Sequence, residues 1–225
     1  MKLKELLGQS WWERLKPFVE SPEFTVIEKF VFSEYQKFKC FPPADQVFTA
    51  FNLCHYDSIR VVILGQDPYI HPNQAAGIAF GIPENQHVVP PSLENIRMEV
   101  EKDVYNGMLL HFDYTLRSWL SQGVFCQNVA LTVRSGKSGS HMSIWQPFTV
   151  EWIKLLNQTP GKVWLLWGND AKAFKSYINP KNHYILEAAH PAAESYRKNA
   201  GFFGCGHFSK VNQIIEGNNG ESIRW

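Results

Sequence analysis

Four short, unbroken apolar runs constrain this 225-residue chain most: Val61 to Leu64, Val124 to Cys126, Val163 to Trp167, and Tyr184 to Leu186. A strand with one wet face alternates apolar and polar residues; these do not, so each reads as a strand buried on both faces. Segments with helical spacing lie between and before them. Phe24, Ile27, Val31 and Tyr35 mark a helix that must end before Pro42-Pro43. Leu93, Ile96 and Val100 mark another, with Ser92 as its expected N-cap. A third is expected over residues 114–121, stopped by Gly123, and "QPFTVEWIKLLNQ" is amphipathic with Pro147 near its first turn. Ile78 to Ile82 reads as a further strand or extended segment. Helices alternating with doubly buried strands define the α/β class, a parallel sheet with helices on both faces.

In such sheets ligands bind outside the carboxyl ends of the strands. Gln66-Asp67-Pro68-Tyr69 comes directly after the first run, Asn128 after the second, Gly168-Asn169 after the third and His190-Pro191 after the fourth. An acid, an amide and an imidazole are thus expected at one rim. Asp67 precedes a proline, which disfavours helical geometry and aims it outward from the strand end. Taken singly, each residue has a plainer explanation: Asp67 as a turn former or cap, Asn128 as a turn residue, Tyr69 as the closure of a turn, Phe80 as core, His190 as a loop histidine. Their joint placement argues for a site.

Composition narrows the classes further. At 44% hydrophobic residues and a formal charge of +1, the chain can bury one full core and does not coat nucleic acid by bulk charge. The expectation is a single domain over residues 1–225. Cys40, Cys54, Cys126 and Cys205 show no paired spacing and read as reduced thiols. "VRSGKSGSH", residues 133–141, carries Arg134, Lys137 and His141 without an acid; it reads as a solvated loop or, less economically, a local phosphate-binding patch. "GSHM" within and after it looks like a cloning remnant but is internal and is read as native. The N-terminal "MKLKELLGQSWWERL" lacks the apolar stretch of a secretory signal, and its acids argue against a transit peptide. No membrane span and no leader are expected, and the localisation expected is intracellular, in the cytoplasm. Glycine spacing supports neither a dinucleotide fingerprint nor a phosphate loop.

The ordered set "GQDPY", "PPSLENI", "GVFCQNVALTV", "LLWG", "AHP" and "GFFGCGHFSKVN" resembles the family 1 uracil-DNA glycosylases over nearly the whole chain. The resemblance implies a single α/β domain with a central four-stranded parallel sheet. It implies removal of uracil from DNA by base flipping in base excision repair, with no metal or cofactor and no lyase activity. Asp67 and His190 are then the catalytic pair. Asp67 lies beneath the sugar to stabilise its developing cation and to position or deprotonate water, and His190 donates to the uracil oxygen. Phe80 stacks on the base, Asn128 and the backbone near Gln66 bind its polar edge, and Tyr69 excludes the methyl group of thymine. Pro90, Pro91, Ser92, Asn169, Ser195, Tyr196 and Arg197 are the expected DNA contacts. Expected partners are single- and double-stranded uracil-containing DNA and DNA-mimicking inhibitor proteins, with the chain acting as a monomer.

The chain departs from the family pattern in three places. Ile70 stands where a histidine is usual, followed by His71 where glycine is usual, and Ala76 replaces another histidine. After His190 the usual His-Pro-Ser-Pro-Leu-Ser becomes the longer "HPAAESYRKNAGFF", with Glu194 at the position of a leucine that wedges into the minor groove. A carboxylate pressed among stacked bases is costly, so Tyr196 is the expected wedge, with Arg197 and Lys198 on phosphates. Two rivals remain: a catalytically silent DNA-binding accessory module, and an enzyme with a substrate range wider than uracil.

Overall fold

The computed structural model describes residues 2–225. Among the described residues eight α-helices and six strands occur in chain order: α1 (Gln9–Val19), α2 (Pro22–Lys37), β1 (Cys40–Phe41), α3 (Thr49–Leu53), β2 (Val61–Gly65), α4 (Pro91–Tyr105), α5 (Arg117–Ser121), β3 (Val124–Asn128), β4 (Val133–Arg134), α6 (Met142–Leu156), β5 (Val163–Trp167), α7 (Asn169–Lys172), β6 (Tyr184–Ala188) and α8 (His207–Gly217). The expected sheet is present, in the order β3-β2-β5-β6 with every pairing parallel.

Register explains why the strands are apolar throughout. Phe125, Val62, Trp164 and Ile185 align across the sheet on one face, where Trp152 of α6 meets Phe125 and stacks on Trp164. On the other face Trp167 packs against Phe208 of α8 and against Phe202. Every residue of β2, β3 and β5 is buried; only the edge strand β6 meets solvent, with Tyr184 and Glu187 exposed. Among the described residues no helix is long and apolar enough to cross a membrane. The four cysteines are free thiols.

Local expectations are corrected in four places. Ser92 is not the N-cap of α4: Pro90 holds that position, its carbonyl accepting from Leu93 and Glu94, and Pro91 opens the helix without needing a donor. Residues 114–116 are not helical, because the Asp113 carboxylate accepts from the Thr115 and Ser118 amides and folds them into a turn before α5. α6 starts at Met142, one turn earlier than expected, so Pro147 lies inside it and deprives the exposed Ser143 carbonyl of its helical donor. Residues 78–82 form no strand, since Phe80 takes a φ of 66° that breaks any extended run. An unanticipated two-stranded antiparallel pair, β1 with β4, ties the segment after α2 to the loop after β3.

Candidate active site

At the carboxyl ends of β2 and β3 lies a cavity of about 320 Å³. Gln66, Asp67, Tyr69, Phe80, Asn128 and His190 all line it, together with Pro90, Pro91 and Ser92 from the start of α4. The rim convergence expected from the strand order is therefore present for the acid, the amide and the imidazole.

Asp67 is half-buried, and its carboxylate is held from one side. Ser138 Oγ donates to it at 3.0 and 3.1 Å from its two oxygens, and the Gly139 amide donates to Oδ2 at 2.6 Å. Burial raises its pKa above the ordinary carboxylate range; these donors oppose the rise, and the nearby Asp170 carboxylate adds to it. His190 is displaced the other way. Burial lowers its pKa, only partly offset by Asp170, so the imidazole is neutral at physiological pH. Its Nδ1 accepts from the Ala192 amide at 3.2 Å, which places the proton of the neutral ring on Nε2 and makes that atom a donor.

Tyr69 is fixed by its hydroxyl, which donates to the Phe80 carbonyl at 2.7 Å and lies 3.1 Å from Ser92 Oγ. Burial raises its phenol pKa, so it stays protonated. Phe80 lies tilted against the rings of Trp167 and His190, with centroids 5.6 and 5.8 Å away. A bulky residue at positive φ is strained, and the Tyr69 bond to its carbonyl is one of the contacts that retain it. Ser92, expected on a phosphate, is buried with its hydroxyl on Tyr69.

Two glycines make the close approaches possible. Gly65 is the register partner of Asn128, and a Cβ there would meet Asn128 Oδ1 at 2.2 Å. Gly168 has a φ of 86°, and a Cβ there would meet His190 Cβ at 2.9 Å. Replacing Gly65 with alanine should therefore displace the Asn128 amide from the cavity rim. A crystal structure of the variant checks this; an unmoved Asn128 side chain would show that Gly65 is not needed for the close approach.

The remaining candidates lie outside the cavity wall. Asn169, Ser195, Tyr196 and Arg197 are exposed, Tyr196 at 79%. Ser195 Oγ accepts from Asn95 Nδ2 at 2.9 Å, and Arg197 donates to the Ala200 carbonyl at 3.0 Å. Glu194 is no wedge. Its carboxylate accepts from the amides of Ala200, Gly201, Phe202 and Phe203 at 2.7–3.1 Å, closing the loop on itself. Burial raises its pKa, but the four amides together outweigh that and hold it below the usual range.

The departures near the cavity are also placed. Ile70 packs against the apolar cluster of Phe41, Ala75 and Val133, His71 is exposed on the cavity lining, and Ala76 is buried. "VRSGKSGSH" is exposed at Gly136 to Ser138, as a solvated loop is, but its ends are not free basic residues. Arg134 pairs with Glu34, His141 is 1% exposed, and of the three basic residues only Lys137 is free on the surface. Ser138 and Gly139 were not legible as site residues, because donors for a carboxylate 71 and 72 positions away leave no local pattern. Glu34, Cys40 and His141 approach within 4.8 Å of one another. Arg134 already neutralises Glu34, and burial pushes the Cys40 thiol up to about 11, so a protonated thiol and a satisfied carboxylate make a poor cation site.

A parallel sheet whose strand ends gather acid, amide and imidazole around an aromatic floor is the architecture of an enzyme that holds a flat polar ring. The chain belongs to the uracil-DNA glycosylase superfamily: the family model described as "Uracil DNA glycosylase superfamily" matches residues 51–216. It is 42% identical over 221 residues to "Uracil-DNA glycosylase 1" of Bacteroides fragilis, covering 97% of this chain and 98% of that one. Among solved structures it is similar to the mimivirus uracil-DNA glycosylase, with a TM-score of 0.90 at 30% identity, covering 100% of this chain and 89% of that one. A Y322L variant of the viral enzyme in complex with UGI is similar too, with a TM-score of 0.90 at 29% identity, covering 100% of this chain and 91% of that one.

Proposed function

We propose that this chain is a uracil-DNA glycosylase: it flips uracil out of DNA, hydrolyses the N-glycosidic bond and leaves an abasic site for base excision repair. One observation carries the reading: Asp67, Asn128 and His190 come from three strand ends to one cavity that Phe80 also lines. Base flipping delivers the nucleotide to such a pocket at the cost of unstacking. Phe80 takes the ring face and Asn128 the polar edge. The Tyr69 ring, held by two hydrogen bonds, stands where a thymine methyl would have to go.

As the bond between sugar carbon 1′ and uracil N1 breaks, its electron pair leaves with the base and spreads onto uracil O2. Neutral His190 donates from Nε2 to that oxygen without transferring its proton, stabilising the anion as it forms. Asp67, beneath the sugar, stabilises the oxocarbenium-like cation, orients the attacking water and takes its proton, which then passes to solvent. Activity accordingly rises with pH as Asp67 ionises, through a pKa above the ordinary carboxylate value.

The same reading has the chain working as one domain and a monomer on single- and double-stranded DNA, with no resident metal or cofactor. Similarity to a glycosylase solved with UGI supports an inhibitor protein as a further partner. The 79% exposed Tyr196 fills the gap left by the flipped base, on a loop that Glu194 stiffens. Tyr196→Ala should cut uracil release from duplex several-fold more than from single strands; an unchanged duplex-to-single-strand ratio removes Tyr196 from that role. The overall test is base release from matched oligonucleotides carrying uracil, thymine, hypoxanthine or cytosine. Uracil alone should be released, and release of none of them would overturn the proposal.

A further inference from the structure

The loop of residues 135–140 is tied at both ends to one carboxylate. Glu34, buried on α2, accepts from Nη2 of Arg134 at 2.7 Å and from Nε of the same guanidinium, and Nε2 of His141 lies 3.0 Å from it. Arg134 and His141 flank the loop, so Glu34 fixes the two ends against each other. The cluster is satisfied throughout. Trp145 Nε1 donates to Thr132 Oγ1 at 2.7 Å, which turns the Thr132 proton toward His141 Nδ1 at 2.8 Å and leaves the imidazole Nε2–H for Glu34. Backbone bonds from Ser135 to Lys39 at 2.8 Å and from Gly136 to Ile70 at 3.0 Å seat the loop beside the segment that carries Asp67.

This scaffold presents a pair of donors to one carboxylate. The Gly139 amide and the Ser138 hydroxyl both reach Asp67, and among the described residues that hydroxyl has no other protein partner. We infer that Ser138 is a positioning residue for Asp67, and that Glu34 is the anchor that keeps Ser138 and Gly139 in place. The inference rests on the role given to Asp67 under the proposed function. Two donors on one side of a carboxylate fix its rotation and favour its ionised form. A carboxylate free to rotate would spend less time aimed at the sugar, which lowers the rate with little change in DNA binding.

The test is the pH profile of uracil release from a single-stranded oligonucleotide, read for Ser138→Ala, Ser138→Thr and Glu34→Gln, with Asp67→Asn as reference. Asp170 acts on Asp67 through its charge, His71 and His190 line the same cavity, and Lys137 is next to Ser138 on the loop; all are kept in these variants. Arg134 holds the Glu34 carboxyl down to about 2, so the anchor stays charged across the acid limb and the limb reports Asp67. Ser138→Ala should lower kcat about tenfold at neutral pH, leave KM unchanged and move the acid limb to higher pH. Ser138→Thr, which keeps the hydroxyl, should restore both. Glu34→Gln should change kcat and the limb in the same direction; Ser138, being exposed, carries the test should that variant fail to fold. Wild-type kcat and an unmoved limb in Ser138→Ala, with Asp67→Asn inactive, would overturn the inference and leave the proposed function standing. Full activity of Asp67→Asn would instead overturn the proposed function.

Discussion

Asparagine in place of Asp67 should slow uracil release by about 10²–10⁴-fold, the range for losing a positioned acid–base group. The substitution is nearly isosteric, and the site can accept it. The amide oxygen takes the Gly139 donor, the amide nitrogen turns to Ser138 Oγ, and that hydroxyl accepts instead of donating. The fold and the cavity should therefore persist while the charge beneath the sugar is lost. Single-turnover release with enzyme in excess isolates the chemical step, and a thermal unfolding curve checks that structure is kept. A variant with undiminished single-turnover rate would remove Asp67 from the chemistry. The acid limb should vanish with the charge, because the limb is the ionisation of that carboxyl.

The second large effect is expected at His190. Truncation to alanine removes a donor aimed at charge that develops only as the base departs, a loss of about 10²–10³-fold in rate. Because burial lowers the His190 pKa from the ordinary imidazole value and so favours the neutral ring, the wild-type rate should not fall on this account as pH rises above neutral. Leaving-group chemistry separates this role from simple packing. 5-Fluorouracil departs as a more stable anion and needs less help, so the deficit of His190→Ala should shrink on 5-fluorouracil DNA. An equal deficit on both bases would mean that His190 merely shapes the pocket, where its ring lies near Phe80 and its side chain packs against Gly168.

Much of the fold was legible in the chain because its strongest signals are local. Doubly buried strands need uninterrupted apolar runs, and the runs at 61–64, 124–126, 163–167 and 184–186 became the four strands of the sheet. The candidate residues could be named because a parallel sheet gathers the residues just past its strands at one end. The failures have an equally physical cause. Residues 114–116 were misplaced because the Asp113 carboxylate competes for nearby amides, and Ser92 and Pro147 because helix starts lie within about a turn of where propensity points. Phe80 breaks its expected extended run because its carbonyl is held by Tyr69, eleven residues back.

The sequence by itself determined the α/β class, the four strands of the main sheet and the residue types at their ends, since these depend on periodicity and on the few residues just past each apolar run. Only the tertiary structure decided how the site is held. Glu34 reaches Arg134 and His141, Ser138 and Gly139 reach Asp67, and Glu194 turns back on Ala200 to Phe203 instead of pointing at DNA. Each is a polar group meeting a partner that only the folded chain brings near. A carboxylate drawn out of water must find donors wherever the chain brings them, and no spacing along the sequence records which donors those are.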